Sequence, residues 1–560
     1  MELLSRACDK EFWAEVREKD CYAPFRNELL SLWANLCEGK EIPELKYSDF
    51  KLFSVTGSRS EYEGVYFNRR LRLNASCFLS LIYPEEEKYF TYLQDVLFAI
   101  CNEFSWCLPA HYGSAEVDNH RMIDLFASET GFALAETYTV LCDRLDPLVA
   151  ERIRNEIDRR IIEPYATRLN KLWWEKSDNN WAAVCVGSVG CTVMLMRPER
   201  FAELRERIEA TMECYLGGFS DDGICVEGCG YWHYGFGFFL VYADMVKTFT
   251  DGEVDYFTRP KVRSIATYIQ KMFLSGHCSV SFADAGTSMR YHIGTVHYLK
   301  SIYPDDVIVY DRRFSYNHDG CARFCLHLRA ALWYREEFET NEAPTENFDF
   351  FAENTEWFIH KTPHYGFAAK GGHNKEPHNH NDVGSFIFAK NGVQILADPG
   401  TGKYCKDYFR EKRYTFFHTR TLGHSLPTFG GKEQKEGCAY AARDVRFEGK
   451  DFLLDIAPAY GIPELSSLIR RFSLTETSLS VTDRFDYSGS DQICERVVSM
   501  CEPKEIVAGR IAILDSVLIY DSESVESVKI EKQTFDGSAT CYTVDFTLKN
   551  NTKEFSYSIE

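Results

Sequence analysis

The spacing of apolar residues along the chain changes once. Over roughly the first 340 residues, apolar positions recur every three or four residues, which predicts amphipathic helices. The clearest helical patterns cover 88–104, 122–142, 146–169 and 198–216. Their connections are short, and helices joined in this way favour antiparallel hairpins. The pattern therefore predicts a helical toroid or solenoid.

Beyond this region, short runs of alternating apolar and polar residues predict strands. Examples are "SFIFAKNGVQIL", "DVRFEGKDFLLDIAPAY", "SLIRRFSLTETSLSVTDRFDY" and "TCYTVDFTLKNNTKEFSYSI", which Gly, Asn and Asp turns separate. The acidic, Pro-containing stretch 335–358 is expected to be a linker. The predicted fold class is multidomain α and β, with a helical toroid domain over residues 1–340 and an antiparallel β-sandwich domain over 341–560.

Composition narrows the class of protein. The 560 residues are 45% hydrophobic and 15% aromatic, enough for large cores, and the formal net charge of −21 argues against nucleic acid and anionic membranes as partners. No apolar run is long enough to span a bilayer. The start of the chain lacks the pattern of a secretory signal, and the 20 cysteines form no Cys-x-x-Cys pair. We therefore expect a cytoplasmic protein with reduced cysteines.

The stretch "EPHNHNDVGSF" concentrates polar chemistry in a few residues. His378 and His380 are two apart, so on an extended strand they would point to the same face. Asp398 and His424 follow later in the chain. His380, Asp398 and His424 make a two-His-one-carboxylate set suited to Zn²⁺ or another divalent ion. The alternative interpretation is that they are polar residues of turns and strand edges.

Two further segments carry candidate chemistry in the helical half. "DDGICVEGCGYWHYGFG" surrounds Tyr231 and its aromatic neighbours with glycines, which lets a backbone approach a ligand closely. A tyrosine there can act as acid or base, while Trp232, Phe236 and Phe238 are expected to pack in a core. In "KSDNNWAAVCVGSVG", Asn180 can cap a helix or donate a hydrogen bond to a substrate carboxylate.

In this order the segments resemble the heparinase II/III family of polysaccharide lyases. The matching pieces are "WCLPAH", "NNW", "EGCGYWHYG", "HNHNDVGSF", "DPGTGKY" and "GHS". The resemblance implies an N-terminal (α/α) toroid and a C-terminal heparinase II/III-like β-sandwich. It also implies cleavage of uronate polysaccharides, such as heparan sulfate, other glycosaminoglycans or alginate, by β-elimination.

The resemblance also implies roles for particular residues. Asn180 would stabilise the enolate-like intermediate, and Tyr231 and His378 would supply acid and base, with Tyr231 as the acid or as both. His380, Asp398 and His424 match the family's metal positions. The ion is expected to be Zn²⁺, with Mn²⁺ or Ca²⁺ as alternatives, and mainly structural.

One residue departs from the family pattern, because Trp181 stands where several members have a histidine. Either the enolate then has fewer polar partners, or His111 or His233 supplies the missing one. Tyr234 competes with Tyr231 for the catalytic role. The segment from Lys403 to His424 is locally basic. Residues expected to bind substrate are His111, Trp181, His233, Tyr234, Arg413 and Arg420.

The leading hypothesis is a lyase that acts on glycosaminoglycans of the heparan sulfate, chondroitin or hyaluronan type and releases 4,5-unsaturated uronates. Its expected partner is an anionic uronate oligosaccharide or polysaccharide. The alternatives are an oligoalginate or alginate lyase, a metal-dependent hydrolase and a non-catalytic glycan-binding protein. A monomer and a homodimer are both compatible with the sequence.

Overall fold

The computed structural model describes residues 3–112, 122–168, 171–310, 314–315, 320–339, 347–536 and 538–560. The chain divides into two compact units. The helical unit comprises Met1–Gly218, Trp232–Arg263 and Arg290–Asn341, and the β unit comprises Phe219–Tyr231, Ser264–Met289 and Glu342–Glu560. The predicted boundary between residues 340 and 341 lies outside the described residues.

The first part of the chain folds into helices, as the apolar spacing predicts. The α-helices are α1 (Ser5–Cys8), α2 (Lys10–Glu18), α3 (Ala23–Leu32), α4 (Tyr47–Thr56), α5 (Ser60–Ile82), α6 (Glu87–Cys101), α7 (Leu125–Leu141), α8 (Pro147–Ile157), α9 (Glu163–Thr167), α10 (Asn180–Met196), α11 (Phe201–Gly217), α12 (Cys229–Tyr231), α13 (Gly237–Phe249), α14 (Pro260–Ala266), α15 (Tyr268–Met272), α16 (Ile293–Ile302), α17 (Phe324–Leu332) and α18 (Ala457–Tyr460). The four strongest helical predictions are confirmed by α6, α7, α8 with α9, and α11.

Helices α7 and α10 form the centre of the helical unit. Both are buried on nearly all sides, which explains why their sequences are apolar all round rather than amphipathic. Two glycines allow close packing here: a Cβ at Gly131 would lie 2.6 Å from a side-chain atom of Ile161, and one at Gly190 would lie 2.8 Å from the ring of Tyr242. These close approaches pack α7 against the Ile161 segment and the middle of α10 against α13.

Strands are the main regular elements of the β unit. In chain order the strands are β1 (Phe273–Ser275), β2 (Cys278–Ser279), β3 (Tyr291–His292), β4 (Phe314–Ser315), β5 (Phe348–Ala352), β6 (Trp357–Lys361), β7 (Gly366–Lys370), β8 (His373–Asn374), β9 (Phe386–Lys390), β10 (Val393–Leu396), β11 (Thr428–Phe429), β12 (Gly437–Ala441), β13 (Arg443–Glu448), β14 (Asp451–Asp455), β15 (Leu465–Leu474), β16 (Leu479–Tyr487), β17 (Ile493–Ser499), β18 (Pro503–Val507), β19 (Arg510–Ile513), β20 (Ser516–Tyr520), β21 (Val525–Phe535), β22 (Ala539–Leu548) and β23 (Glu554–Ile559). The short strands β3 and β4 pair in the helical unit.

The remaining strands pair antiparallel wherever the structure describes them. The larger sheets have the orders β10-β9-β7-β6-β5, β11-β17-β22-β21 and β13-β14-β15-β16-β23-β20-β19-β18. Their inner faces share one apolar core, in which the rings of Phe367, Phe386 and Phe472 lie with centroids 5.2–6.2 Å apart. Side chains alternate between this core and solvent along β15 and β16, as in a β-sandwich.

The segment Ser264–Met289, from the helical half of the sequence, completes the β unit. A Cβ at Gly366 in β7 would lie 2.3 Å from the carbonyl oxygen of Leu274, so β1 packs directly on β7. The Gln394 amide donates to the carbonyl of Ser279 at 2.9 Å, and the Ser281 hydroxyl donates to the carbonyl of Asp398 at 2.9 Å. The segment therefore places its own polar residues beside the loops that follow β8 and β10.

The alternating patterns are confirmed as strands, with two local differences. The stretch 335–358, predicted as a linker, contains β5, and its residues 340–346 lie outside the described part of the chain. The run "IAPAY", expected within a strand, forms the short helix α18, because Pro458 occupies the first helical turn and Gly461 ends the helix at a positive φ of 58°.

A buried arginine, Arg470 on β15, ties the loops of the β unit together. It donates to Asp483 at 2.8 Å and to the carbonyls of Gly384 and Ser425 at 2.9 and 2.6 Å. Glu495 lies 3.6 Å from the same guanidinium. Removing the guanidinium would leave the buried carboxylate of Asp483 without its counter-charge.

We expect Arg470→Met to lower the free energy of unfolding by about 3–5 kcal/mol, the usual effect of breaking a buried ion pair. Urea unfolding followed by circular dichroism measures it. The control is Arg484→Met on the next strand, because that side chain is 72% exposed and pairs with Glu554 at the surface. The control should cost less than about 1 kcal/mol, and equal losses in both variants would contradict the prediction.

No helix in the described residues is long and apolar enough to cross a membrane. All 20 cysteines are free thiols, in agreement with the absence of paired cysteine motifs.

Candidate functional site

Tyr231 lies where a short helix changes its winding. It ends α12, and the next residues, Trp232–Phe236, form a π-helical turn before α13. Such turns interrupt a helix locally and are frequent at functional sites. Gly228 precedes this helix at a positive φ of 107°, and a Cβ there would lie 3.0 Å from Ala285. Gly228 therefore lets the start of α12, the helix that carries Tyr231, approach the 264–289 segment closely.

The side chain of Tyr231 faces a histidine and a second tyrosine. Its ring stacks on the His378 ring with centroids 4.1 Å apart, and its hydroxyl lies 2.7 Å from the hydroxyl of Tyr404. Burial, and then the charge of Asp284, raises the pKa of Tyr231 above its ordinary value of 10. The hydroxyl is therefore protonated at neutral pH and able to donate a proton.

His378 lies in a loop rather than on a strand. Its φ of 59° is in the left-handed region, which residues other than glycine rarely adopt, and the strand β9 begins only at Phe386. His378 and His380 are nevertheless brought together, because both bind the carboxylate of Asp284. His378 Nδ1 lies 2.7 Å from Oδ2, and His380 Nε2 lies 3.1 Å from Oδ1.

Asp284 is the centre of this arrangement. Besides the two histidines, it accepts hydrogen bonds from Tyr404 at 3.2 Å, Tyr408 at 2.5 Å and Arg413 at 3.1 Å. Its side chain is fully buried. Burial alone would raise the pKa of Asp284, but hydrogen bonds from the two histidines and the charge of Arg413 hold this pKa well below its ordinary range. Asp284 is therefore a buried carboxylate anion.

His380 also belongs to a second cluster of polar side chains. His380, Asp382, Asp398 and His424 are all buried, and one ligand atom from each lies within 4.8 Å of the others. His424 Nδ1 is 3.2 Å from Asp398 Oδ2. Despite the effect of burial, each partner favours the charged form of the other, so the pKa of Asp398 is lowered and that of His424 is raised. The sequence predicts three members of this set but misses Asp382.

The donor atoms of this cluster suit a divalent cation. Among the described residues, His380 Nδ1, Asp382 Oδ2 and His424 Nε2 have no hydrogen-bond partner although they are buried. The other atom of each carboxylate is occupied: Asp382 accepts from Lys370 at 2.7 Å, and Asp398 accepts from the backbone of Gly400 at 2.8 Å. Two imidazoles and two carboxylates form a ligand set typical of zinc.

The "DPGTGKY" segment connects the two clusters, and its glycines are required by close approaches. A Cβ at Gly400, whose φ is 68°, would lie 2.1 Å from the carbonyl oxygen of Ala285, and one at Gly402 would lie 1.9 Å from the ring of His418. Only glycine fits at either position. The segment thus places Asp398 in the cluster with His380, Asp382 and His424, and Tyr404 beside Tyr231.

In the helical unit, Asn180 and Trp181 begin α10. Asn179 is the N-cap, with its side chain accepting from the Trp181 backbone at 3.1 Å, so Asn180 lies inside the first turn and is buried. The Trp181 ring packs edge-on against His111 with centroids 4.8 Å apart. His111 Nδ1 lies 2.7 Å from Asp124, the carboxylate that also caps α7. His111 and Trp181 therefore form one packed group.

The other two aromatic candidates of the helical unit are also buried. The Tyr234 hydroxyl donates to Glu129, and Arg323 lies 3.6 Å above the Tyr234 ring. His233 packs edge-on against Trp232 at 5.1 Å. The Tyr234 hydroxyl is thus held by a carboxylate, whereas the Tyr231 hydroxyl lies beside the hydroxyl of Tyr404. The expected core packing of Trp232, Phe236 and Phe238 is confirmed, since their exposed fractions are 0–2%.

The two arginines predicted to bind substrate are engaged within the protein. Arg413 donates to Asp284 and, at 2.8 Å, to the carbonyl of His378. Arg420 pairs with Glu433 through two nitrogens. Their binding role stays a prediction, and the structure shows that both also stabilise the loops on which they lie.

Asp284, Asp382, Tyr404 and Tyr408 are the residues that the sequence prediction missed. Asp382 could have been predicted from the sequence, because it follows His380 by two residues, the same spacing that separates His378 from His380. Tyr404 belongs to the "DPGTGKY" motif. Asp284, in "SFADAG", carries no such signal, since nothing in the sequence separates it from an ordinary loop aspartate.

No family model and no curated sequence matches the chain. Solved structures match it over nearly its full length. The heparan sulfate lyase HepC from Pedobacter heparinus, in a mutant form, aligns with a TM-score of 0.62 at 12% identity, covering 98% of this chain and 85% of that one. Heparinase III aligns with a TM-score of 0.60 at 11% identity, covering 98% and 91%. Chondroitin AC lyase from Streptomyces coelicolor A3, in complex with chondroitin sulphate, aligns with a TM-score of 0.52 at 8% identity, covering 98% and 82%.

At these identities the likeness is one of fold. It confirms the predicted fold class, a helical toroid with an antiparallel β-sandwich, and it confirms the resemblance drawn from the motifs at the level of architecture. The chain has the fold of the heparinase III, heparan sulfate lyase and chondroitin AC lyase structures.

Proposed function

We propose that this protein is a polysaccharide lyase that cleaves uronate-containing glycosaminoglycans by β-elimination. The observation that carries the proposal is the stacking of Tyr231 on His378, a proton donor against a proton acceptor, within a fold shared with heparan sulfate and chondroitin lyases. The substrate class rests on what those structures are named for, and on the locally basic segment from Lys403 to His424.

The proposed reaction needs one base and one acid. A base removes the C5 proton of the uronate, the electron pair left on C5 forms the C4–C5 double bond, and the C4–O4 bond breaks. An acid then protonates O4 of the departing sugar, and no water is consumed. His378 is the proposed base and Tyr231 the proposed acid, because the raised pKa of Tyr231 keeps its proton available.

Charge on the substrate carboxylate rises as C5 loses its proton, so a hydrogen-bond donor is needed there. Asn180 remains the candidate for this role, as the resemblance implies. Its buried position in the first turn of α10 fixes the side chain on a rigid element.

The test is to incubate the protein with heparan sulfate, chondroitin, hyaluronan and alginate oligosaccharides and to follow the ultraviolet absorbance of the 4,5-unsaturated uronate. Absorbance that rises with a glycosaminoglycan supports the proposal. New reducing ends without absorbance would instead identify a hydrolase, and absorbance with alginate alone would change the substrate class.

We also propose that His380, Asp382, Asp398 and His424 hold a divalent ion, most simply Zn²⁺. The support is the set of buried ligand atoms without hydrogen-bond partners. When bound, the ion would cross-link the loops after β8, β10 and the segment before β11. The proton transfers are assigned to Tyr231 and His378, so the proposed role of the ion is structural.

Removal of this ion should destabilise the β unit. An ion present at 100 times its dissociation constant contributes about 2.7 kcal/mol to folding, so a chelator should lower the thermal unfolding midpoint, and added Zn²⁺ should restore it. The control is Asp382→Asn, whose midpoint should already be lower and should no longer respond to chelator. A wild-type midpoint that is the same with and without chelator would contradict the metal site.

A further inference from the structure

We propose that Asp284 is the positioning residue of the site, one carboxylate that orients both the proposed base and a proposed metal ligand. The inference rests on the proposed function for the role of His378, but its geometry stands on its own. Asp284 belongs to the 264–289 segment, and every group in the argument lies in the β unit.

The two oxygens of Asp284 serve different sides of the site. Oδ2 contacts His378 Nδ1 at 2.7 Å and the Tyr404 hydroxyl at 3.2 Å, and Tyr404 in turn contacts the Tyr231 hydroxyl at 2.7 Å. Oδ2 is thus joined directly to the proposed base and, through Tyr404, to the proposed acid.

Oδ1 of Asp284 faces the proposed metal site formed by His380, Asp382, Asp398 and His424. It contacts His380 Nε2 at 3.1 Å, the Tyr408 hydroxyl at 2.5 Å and Arg413 at 3.1 Å. Arg413 also reaches Oδ2 at 3.2 Å, so its charge compensates the carboxylate as a whole. With Tyr408 and Arg413 in place, the carboxylate is fixed from several directions and has little freedom to rotate.

These contacts decide which nitrogen of each histidine carries the proton. A carboxylate anion only accepts hydrogen bonds, so the nitrogen facing it must be the N–H. His378 is then protonated on Nδ1, which leaves Nε2 as its basic atom, 3.8 Å from Glu227. His380 is protonated on Nε2, which leaves Nδ1 as the lone pair for a metal, and Nδ1 is the atom without a partner among the described residues.

The two histidines therefore need opposite tautomers, and a single carboxylate imposes both. Carboxylates that hold metal-binding histidines in this way usually contribute 10–100-fold to metal affinity or activity. Asp284→Asn keeps the shape of the side chain, but it turns one acceptor into an NH₂ donor that faces an N–H or O–H. In the variant, one or both histidines should therefore lose their fixed tautomer, while the Asn side chain still fills the place of Asp284.

The first experiment measures the tautomers in the wild-type protein, and variants serve only to assign its signals. Nitrogen-15 NMR of histidine-labelled wild-type protein at pH 8, with signals assigned by His378→Gln and His380→Gln, should show Nδ1–H for His378 and Nε2–H for His380. The same tautomer at both residues, or the reverse pair, would overturn the proposal whether or not the protein is a lyase.

The second experiment compares Asp284→Asn with Asp483→Asn, another buried carboxylate of the β unit that pairs with Arg470. Asp284→Asn should weaken Zn²⁺ binding 10–100-fold in competition with a chromophoric chelator, and should lower kcat 10–100-fold with KM changed less than threefold. Asp483→Asn should lower the unfolding midpoint and leave Zn²⁺ affinity and kcat within threefold.

The outcomes separate this inference from the proposed function. If the wild type has no lyase activity, the function fails, while the tautomers and the Zn²⁺ affinity still decide the role of Asp284. If the wild type is a lyase and Asp284→Asn keeps its tautomers, Zn²⁺ affinity and kcat, the function stands and the positioning role is wrong. If Asp284→Asn does not fold, the wild-type tautomers decide.

Discussion

Tyr231→Phe should lower kcat for uronate elimination by about 10²–10⁴-fold, the usual contribution of a positioned general acid. The substitution removes only the hydroxyl, so the ring can still stack on His378 and KM should change little. Initial rates of absorbance at saturating and limiting substrate measure both constants. The wild-type rate should show no loss from ionisation of Tyr231 below pH 10, because burial and Asp284 raise the pKa of this hydroxyl above that value.

Two further variants test whether the loss is specific to the Tyr231 hydroxyl. Tyr234→Phe should cost at most about tenfold, since its hydroxyl is held by Glu129 and is not the proposed proton donor. A larger loss there than in Tyr231→Phe would exchange the roles of the two tyrosines. Tyr460→Phe removes a buried hydroxyl that donates to a backbone carbonyl at 2.7 Å in the β unit, and controls for packing alone.

His378→Ala should have an effect of similar size, about 10²–10⁴-fold on kcat, because the proposed base is removed. The lost ring also leaves a space beside Tyr231, so added imidazole should restore part of the rate. Rates without and with imidazole measure both effects. His364→Ala is the control, since this side chain is 53% exposed and lies in a turn before β7.

Activity within tenfold of wild type in His378→Ala would show that Tyr231 serves as both base and acid, the alternative that the sequence analysis leaves open. Loss of activity without rescue by imidazole, together with a lower unfolding midpoint, would show that His378 acts through the loop it lies on. Its left-handed φ of 59° makes that loop sensitive to substitution.

Much of the fold could be predicted because its signals are local. Apolar spacing predicted α6, α7 and α11 to within a few residues at each end, and alternation predicted strands such as β15, β16, β22 and β23. The linker prediction over 335–358 was wrong in part, because an acidic stretch with one proline can still donate a strand, β5, to a sheet edge.

The candidate site was predictable only where residues lie in motifs. His380, Asp398 and His424 do come together with their ligand atoms, and Tyr231 does face His378. The strand geometry expected for the two histidines was wrong, since a loop and a shared carboxylate bring them together.

By itself, the sequence determined the order of helices and strands, the motif histidines and the candidate acid, because these depend on spacing along the chain. Only the tertiary structure decided that residues 264–289 join the β unit and bring Asp284 between His378 and His380. The reason is physical: packing against β7 and hydrogen bonding to the loop after β10 are long-range contacts, and no local pattern records which distant strand a short segment will meet.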